Sequence, residues 1–140
     1  MGKWVGSVKK CVIVGAGMCD AQRLKRQITL DENDLCIAAD GGLDYLTAIG
    51  LMPDLVIGDM DSLEHKEGLD FSHADFRIKR LPYEKDDTDM LAAIKEGLAA
   101  GYRQFMLYGA LGGRFDHIIA NIQCLLYLSN RGAKGVLVGD

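Results

Sequence analysis

The sequence lacks several features that would place it in a large class of proteins. Its 140 residues contain no apolar run of membrane-spanning length and no secretory leader. None of its four cysteines forms a CxxC pair, and its three histidines lack the spacing of zinc ligands. A net charge of -4 argues against a basic surface for non-specific binding of nucleic acid. We therefore expect no membrane partner and no nucleic-acid partner.

The positions of the cysteines indicate a reducing compartment. Cys11, Cys36 and Cys124 lie inside apolar segments, where a thiol behaves as a small apolar side chain. Disulfides are rare in the cytoplasm, and nothing in the cysteine spacing suggests a disulfide framework. We therefore expect buried, reduced thiols and a cytoplasmic location.

Short apolar segments alternate with helical patterns along the chain, and 49% of the residues are hydrophobic, enough for one core. This alternation predicts a single α/β domain over residues 1–140, a three-layer sandwich with a mostly parallel, Rossmann-like sheet and helices on both faces. The predicted strands are 8–14, 35–39, 55–57, 76–81, 105–108 and 136–138. The predicted helices are 20–27, 43–49, one that ends at Gly101, and 115–130, the last burying Ile118, Ile119, Ile122, Leu125 and Leu126.

Two aspartates follow the third predicted strand. Asp59 and Asp61 are separated by one residue, so an extended backbone would point both carboxylates the same way. Neighbouring carboxylates repel unless a cation or proton lies between them, and Mg²⁺ with phosphate oxygens is the usual cation. An isolated DxD is more often a solvated turn, so the metal interpretation depends on the other motifs.

Three further polar motifs follow predicted strands. Asp40, before two glycines, could bind a ribose hydroxyl or cap the next helix. Residues 85–89 contain three aspartates in four positions, more than helix capping requires. Glycines before Arg114 could expose backbone amides to a phosphate, and the arginine offers a planar donor fork. Because the carboxyl ends of parallel strands share one edge, we expect these motifs to converge there.

Acids for a metal, glycines for phosphates and one arginine suit phosphoryl or pyrophosphoryl transfer from a nucleotide. The chain has no GxxxxGK[ST] motif, which excludes a P-loop kinase. Three alternatives stay open on the residues alone. They are a haloacid-dehalogenase-type phosphatase with Asp59 as nucleophile, a non-enzymatic nucleotide-binding module, and a pyrophosphokinase for another alcohol such as a hydroxymethylpterin.

Taken in order, the motifs resemble those of the thiamine pyrophosphokinases. The similar segments are 40–42, 53–62, 85–89 and 109–117. The resemblance implies transfer of the β,γ-pyrophosphoryl group of ATP to the hydroxyl of thiamine, leaving AMP, in a homodimer that requires Mg²⁺. It also implies a C-terminal all-β domain that helps to bind thiamine, and we expect this sequence to lack it. The chain should therefore bind ATP·Mg²⁺ but transfer pyrophosphate to thiamine poorly or not at all.

The resemblance further implies a role for each motif residue. Asp59, Asp61 and Asp89 are expected to bind Mg²⁺ and its bound phosphates. Asp86 or Asp116 would orient or deprotonate the attacking hydroxyl, and Arg114 would stabilise charge on the transferred group. The residues expected to lie along the nucleotide are Asp40, Gly41, Gly42, Gly112, Gly113 and Arg114.

Overall fold

The computed structural model describes residues 9–15, 21–39, 42–58, 77–80, 89–108 and 115–138. Within these ranges, the strands are β1 (Cys11–Val14), β2 (Leu35–Ala39), β3 (Leu55–Gly58), β4 (Arg77–Arg80), β5 (Gln104–Tyr108) and β6 (Lys134–Val138). The helices are α1 (Ala21–Gln27), α2 (Gly42–Ala48), α3 (Asp89–Ala99) and α4 (Phe115–Ser129). In the part of the chain so described, no helix is both long and apolar enough to cross a membrane.

The six strands form one parallel sheet with the order β4-β3-β2-β1-β5-β6. The chain builds outward from β1 to β4 and then returns to place β5 on the other side of β1. The strand order therefore reverses between β1 and β5, and open α/β sheets bind ligands at such a switch point. The predicted parallel, Rossmann-like sheet is confirmed.

Helices cover both faces of the sheet, because successive strand residues point to opposite sides. On one face, Ile13 packs in a cluster with Ile94 of α3 and Leu128 of α4. On the other face, Val12 packs in a cluster with Leu24 of α1 and with residues of α2. Burying a side chain of this size contributes about 1.5–3 kcal/mol relative to leaving it exposed. The predicted three layers are confirmed.

Three helices end with a glycine in the left-handed region. Gly50, Gly101 and Gly132 follow α2, α3 and α4, with φ values of 80°, 97° and 71°. After α2, the Gly50 amide donates to the Thr47 carbonyl oxygen and the Leu51 amide donates to that of Leu46, which is the Schellman pattern. Glycine adopts this conformation without the steric cost of a Cβ. The predicted helix ends at these glycines are confirmed.

The predicted buried face of α4 is wrong in part. Ile119, Ile122 and Leu126 are 42%, 47% and 64% exposed, whereas Cys124 and Leu128 are 4% and 0% exposed. Apolar residues surround most of α4, so the helical period alone does not reveal which stripe faces the sheet. Packing against α3 and β6 selects the stripe that contains Cys124 and Leu128.

The remaining elements agree with the predictions apart from their ends. β2 has the predicted bounds, whereas β1 begins later than predicted, at Cys11, and β6 begins earlier, at Lys134. In α4, Leu125 packs partly buried against the core as predicted, and the side chain of Ile118 lies outside the described residues.

The cysteines that the structure describes are reduced and buried, as predicted. Cys11 and Cys124 pack on one face of the sheet and Cys36 on the other. Burial, followed by the nearby Asp54 carboxylate, raises the pKa of Cys36 to about 12. This thiol is therefore protonated and unreactive at neutral pH. Cys19 lies outside the described residues.

Candidate functional site

The carboxyl ends of the strands form one level edge. Val14 pairs with Ala38 on one side and with Tyr108 on the other, and Tyr108 pairs in turn with Val138. At the far side of the sheet, Gly58 pairs with Arg80. Each predicted motif begins within a few residues of one of these ends, so the points from which the motifs leave the sheet lie along a single edge.

The motifs follow this edge in a definite order. The DxD motif follows β3, the 40–42 segment follows β2, and the glycines with Arg114 follow β5. Three inter-strand spacings of about 4.8 Å separate the ends of β3 and β5 by roughly 14 Å. A ligand that reached from the end of β3 to the end of β5 would therefore cross the ends of β2 and β1.

Most predicted site residues lie outside the residues that the structure describes. These are Asp40, Gly41, Asp59, Asp61, Asp86, Gly112, Gly113 and Arg114. Asp89 is the first residue of α3 and Asp116 lies in the first turn of α4, but their side chains are also outside the described part. Both helices begin at the carboxyl edge, because each helix follows the carboxyl end of one strand and leads to the amino end of the next.

Gly42 belongs to the predicted set, and its surroundings are described. It is buried at the start of α2, against the end of β1. A Cβ at this position would lie 2.5 Å from the Val14 carbonyl carbon and 3.3 Å from the Gly15 nitrogen. These are backbone atoms, so no side-chain rotation relieves the overlap. The sequence suggested close ligand approach here, and the structure adds a close approach between two parts of the protein itself.

Tyr108 joins three elements near the switch point, and no sequence pattern singles it out. Its carbonyl oxygen accepts a hydrogen bond from the Gly15 amide at 2.8 Å. Its hydroxyl donates to the Gln27 carbonyl oxygen at 3.4 Å. Burial raises the pKa of Tyr108, so the hydroxyl remains a donor at neutral pH. The end of β5 is thereby connected to the end of β1 and to α1.

At the opposite, amino edge, acidic residues hold the strands together. The Asp34 carboxylate, 2% exposed, accepts hydrogen bonds from the Lys10 Nζ at 2.7 Å and from the Lys10 and Asp31 amides at 2.9 Å. Burial alone would raise the pKa of Asp34, but these donors outweigh it and hold the pKa below its ordinary value. Asp54 accepts from the Cys36 amide at 2.9 Å, and its own amide donates to the Cys36 carbonyl oxygen at 2.7 Å. Asp54, which belongs to the 53–62 motif, therefore links β2 to β3.

No group of three or more Asp, Glu, His or Cys residues that could hold a metal occurs among the residues that the structure describes. The predicted ligands Asp59, Asp61 and Asp89 fall outside that search. Their chemistry fits the ion, because Mg²⁺ prefers oxygen ligands and is usually bound through one or two carboxylates together with substrate phosphates.

Comparison with known proteins gives a consistent result. Residues 27–137 match the family described as thiamin pyrophosphokinase, catalytic domain. Thiamine pyrophosphokinase of Bacillus subtilis (strain 168) is 34% identical over 95 residues, which cover 68% of this chain and 44% of that protein. Thiamine pyrophosphokinase 1 of Oryza sativa subsp. japonica is 29% identical over 142 residues, covering 85% of this chain and 53% of that protein.

A solved structure agrees with these matches. The crystal structure of thiamine pyrophosphokinase from Bacillus subtilis superposes with a TM-score of 0.77 at 27% identity, covering 92% of this chain and 60% of that chain. The chain thus spans about half the length of the curated relatives it matches. The shared part contains the parallel sheet and its carboxyl edge.

Proposed function

The chain belongs to the family of thiamin pyrophosphokinase catalytic domains, and from this premise we propose that it transfers the β,γ-pyrophosphoryl group of ATP to the hydroxyl of thiamine. The products would be thiamine pyrophosphate and AMP. The family match over residues 27–137 carries the proposal. The parallel sheet supports it, because its strand ends lead the acidic and glycine-rich motifs to one edge.

The metal site is assigned to Asp59, Asp61 and Asp89. Asp59 and Asp61 follow the end of β3, and Asp89 begins α3, which packs over β1, β2 and β3. Mg²⁺ bound by these carboxylates would offset negative charge on the phosphates of ATP. Without a cation between them, the carboxylates would repel each other.

The reaction requires a proton acceptor for the attacking hydroxyl. The oxygen of the thiamine hydroxyl attacks the β-phosphorus, the bond from that phosphorus to the oxygen it shares with the α-phosphate breaks, and AMP leaves. The hydroxyl proton passes to the carboxylate of Asp86 or Asp116. Arg114 stabilises the charge that develops on the transferred group. The starts of α3 and α4 support these assignments, because both lie at the carboxyl edge.

The nucleotide is proposed to lie across the ends of β2 and β1. Its expected neighbours are Asp40, Gly41, Gly42, Gly112 and Gly113. The reversal of strand order between β1 and β5 supports this location, because open α/β sheets bind ligands at such a point. A homodimer and a cytoplasmic location complete the proposal, the first from the family resemblance and the second from the reduced, buried cysteines.

The test is to mix the chain with ATP, Mg²⁺ and thiamine and to follow AMP and thiamine pyrophosphate, with calorimetry for ATP binding in parallel. Thiamine-dependent release of AMP supports the proposal, and omission of Mg²⁺ should abolish it. The same assay tests the sequence-based prediction that this chain transfers pyrophosphate poorly or not at all, and robust thiamine-dependent AMP release would contradict that prediction. Binding of ATP·Mg²⁺ without any AMP release would contradict the proposed transfer by this chain and would agree with a nucleotide-binding module.

The two remaining alternatives have distinct outcomes in the same assay. Release of AMP with a hydroxymethylpterin but not with thiamine would identify a different acceptor. A phosphate attached covalently to Asp59 would identify a phosphatase of the haloacid-dehalogenase type. The family match favours neither of these alternatives.

A further inference from the structure

We infer that Gly42 is a positioning residue for the nucleotide site: the absence of a side chain lets α2 rest on the carboxyl end of β1 and so sets the spacing between the strand ends from which the segments after β1, β2 and β5 leave the sheet. The inference rests on the proposed function for its ligand, ATP·Mg²⁺. The role concerns the packing that keeps the strand ends at their spacing, and it does not require Gly42 itself to contact the nucleotide.

A side chain at position 42 would meet the backbone at the end of β1. A Cβ at Gly42 would overlap the carbonyl group of Val14 and approach the nitrogen of Gly15 to 3.3 Å. Both atoms belong to the single peptide unit between Val14 and Gly15. The nitrogen of that unit donates to the Tyr108 carbonyl oxygen at 2.8 Å. A methyl group at position 42 would therefore press on the peptide that ties the end of β1 to the end of β5.

The connection from β2 to Gly42 is short. Ala39, the last residue of β2, is 1% exposed and pairs with Ile57 of β3. Only two residues, Asp40 and Gly41, separate it from Gly42. The three peptide links from Ala39 to Gly42 span at most about 11 Å when fully extended. If α2 moved away from β1, the connection that carries Asp40 and Gly41 would have to move with it.

Gly42 therefore lies among the ends of β1, β2 and β5, and the proposed nucleotide crosses the first two of these ends. A single methyl group there would disturb the connection after β2, the end of β1 and the hydrogen bond to β5 together. Gly42 does not have a positive φ, in contrast to Gly50, Gly101 and Gly132. The requirement for glycine at this position is therefore one of space.

Gly97 offers a matched control. It also lies in a helix without a positive φ, and a Cβ there would lie 2.6 Å from Phe105 Cε2 and 2.9 Å from Cys11 Sγ. Phe105 and Cys11 pair near the amino ends of β5 and β1. Gly97→Ala should therefore crowd the core and lower stability without acting on the carboxyl edge.

The experiment compares the unaltered chain, Gly42→Ala and Gly97→Ala. Calorimetry with ATP·Mg²⁺ gives affinity, thermal unfolding gives stability, and hydrogen exchange followed by NMR gives the protection of the Gly15 amide. We expect Gly42→Ala to bind ATP·Mg²⁺ about tenfold more weakly or worse, because small misplacements in a site are costly, and to lose protection at Gly15. Gly97→Ala should lower the unfolding temperature but keep the affinity and the Gly15 protection.

A second pair of variants keeps the inference testable if Gly42→Ala does not fold. Leu43 and Leu46 of α2 are 1% and 0% exposed in the same cluster. Leu43→Ala removes the buried side chain next to Gly42, whereas Leu46→Ala removes a buried side chain about one helical turn later. Greater loss of nucleotide affinity and of Gly15 protection in Leu43→Ala supports the inference, and equal loss in both overturns it.

The outcomes separate this inference from the proposed function. If the unaltered chain does not bind ATP·Mg²⁺, the proposed function fails, and hydrogen exchange at Gly15 alone decides whether Gly42 sets the spacing. If the unaltered chain binds and Gly42→Ala binds equally well, the inference fails while the proposed function stands. Equal loss of affinity in Gly42→Ala and Gly97→Ala would reduce Gly42 to a residue that only stabilises the fold.

Discussion

At the amino edge of the sheet, Asp34 and Asp54 accept hydrogen bonds from Lys10 and from backbone amides of their own domain. At the carboxyl edge, the aspartates of the motifs follow strand ends, where we propose that they hold Mg²⁺ and serve the reaction. One residue type is thus assigned stability at one edge and chemistry at the other. The comparison teaches that the edge on which an aspartate lies says more about its role than the residues beside it in sequence.

The largest expected effect comes from the carboxyl edge. Asp61→Asn, or Asp59→Asn, should weaken Mg²⁺-dependent binding of ATP by about 100-fold or more, because even indirect supports of a metal site cost 10–100-fold when removed. Stability should change by less than about 0.5 kcal/mol. Calorimetry with ATP at several Mg²⁺ concentrations and urea unfolding measure the two quantities. If Asp61→Asn binds ATP·Mg²⁺ as tightly as the unaltered chain, the metal assignment is wrong.

Arg114→Lys should lower the rate of transfer more than the affinity for ATP. Loss of one charge-stabilising donor in a catalytic site costs about 2–4 kcal/mol of barrier, or roughly 30- to 900-fold in rate. The matched control is Arg131→Lys, at a position beyond the end of α4 where the guanidinium lies 3.6 Å from the centre of the Tyr127 ring. This variant should leave the rate of transfer unchanged. Single-turnover rates and ATP affinities give the comparison. An equal loss of rate and affinity in Arg114→Lys would make Arg114 a residue that binds the ground state.

At the amino edge, we expect a substitution to change stability more than it changes the binding of ATP·Mg²⁺. Asp34→Asn should lower the free energy of unfolding by about 1–3 kcal/mol at pH 7, because it weakens charge-assisted hydrogen bonds at a buried carboxylate. Binding of ATP·Mg²⁺ to the folded variant should not change. Glu32→Gln, at an exposed neighbouring position, is the control for loss of a negative charge. If Asp34→Asn is as stable as the unaltered chain, Asp34 does not stabilise the amino edge and that half of the comparison is wrong.

The pH dependence of the Asp34 variant follows from the lowered pKa of this residue. A carboxylate with a lowered pKa in the folded state contributes stability above its unfolded pKa of about 4 and loses it as the pH falls through the folded value. The gap in stability between the unaltered chain and Asp34→Asn should therefore be widest above about pH 5 and narrow below pH 4. Urea unfolding across this range measures the gap, and a constant gap would contradict the assignment.

The smallest effects belong to two tyrosine hydroxyls. Tyr102 donates to the Asn33 carbonyl oxygen at 2.8 Å, whereas Tyr108 donates to that of Gln27 at 3.4 Å. Tyr102→Phe should cost about 0.5–1.5 kcal/mol of stability, and Tyr108→Phe should cost less because its bond is longer. Paired urea unfolding curves decide the order. A larger cost for Tyr108→Phe would show that the connection between β5 and α1 is stronger than its length indicates.

Much of the fold could be predicted from local patterns. Apolar runs bounded by glycine or proline located the strands, and Gly50, Gly101 and Gly132 located three helix ends, because both signals depend on a few adjacent residues. The buried face of α4 could not be predicted in the same way. Its apolar side chains surround most of the helix, and the stripe that contains Leu128 is chosen by α3 and β6, which lie elsewhere in the chain.

For the candidate site, the sequence predicts a set of residues but not the contacts between them. The spacing of the acids and glycines indicated phosphate chemistry, because those residue types suit metals and phosphates. The overlap between Gly42 and Val14 had no local signal, since it joins residues that meet only when α2 packs on β1. The roles of Asp34 and Asp54 were hidden for the same reason, because Asp34 binds Lys10, just before β1, and Asp54 binds the Cys36 amide in β2.

From the pairing of β5 with β1, we also expect a constraint on when the proposed site can form during folding. β1, β2, β3 and β4 pair in chain order, whereas the pairing of Cys11 with Phe105 closes most of the chain into one loop. Longer loops cost more entropy to close, and such pairing is slow. Before β5 pairs with β1, the unpaired edge of β1 could bind a strand of another chain. We therefore expect refolding yields to fall as protein concentration rises, and ATP·Mg²⁺ to protect only molecules in which β5 has already docked.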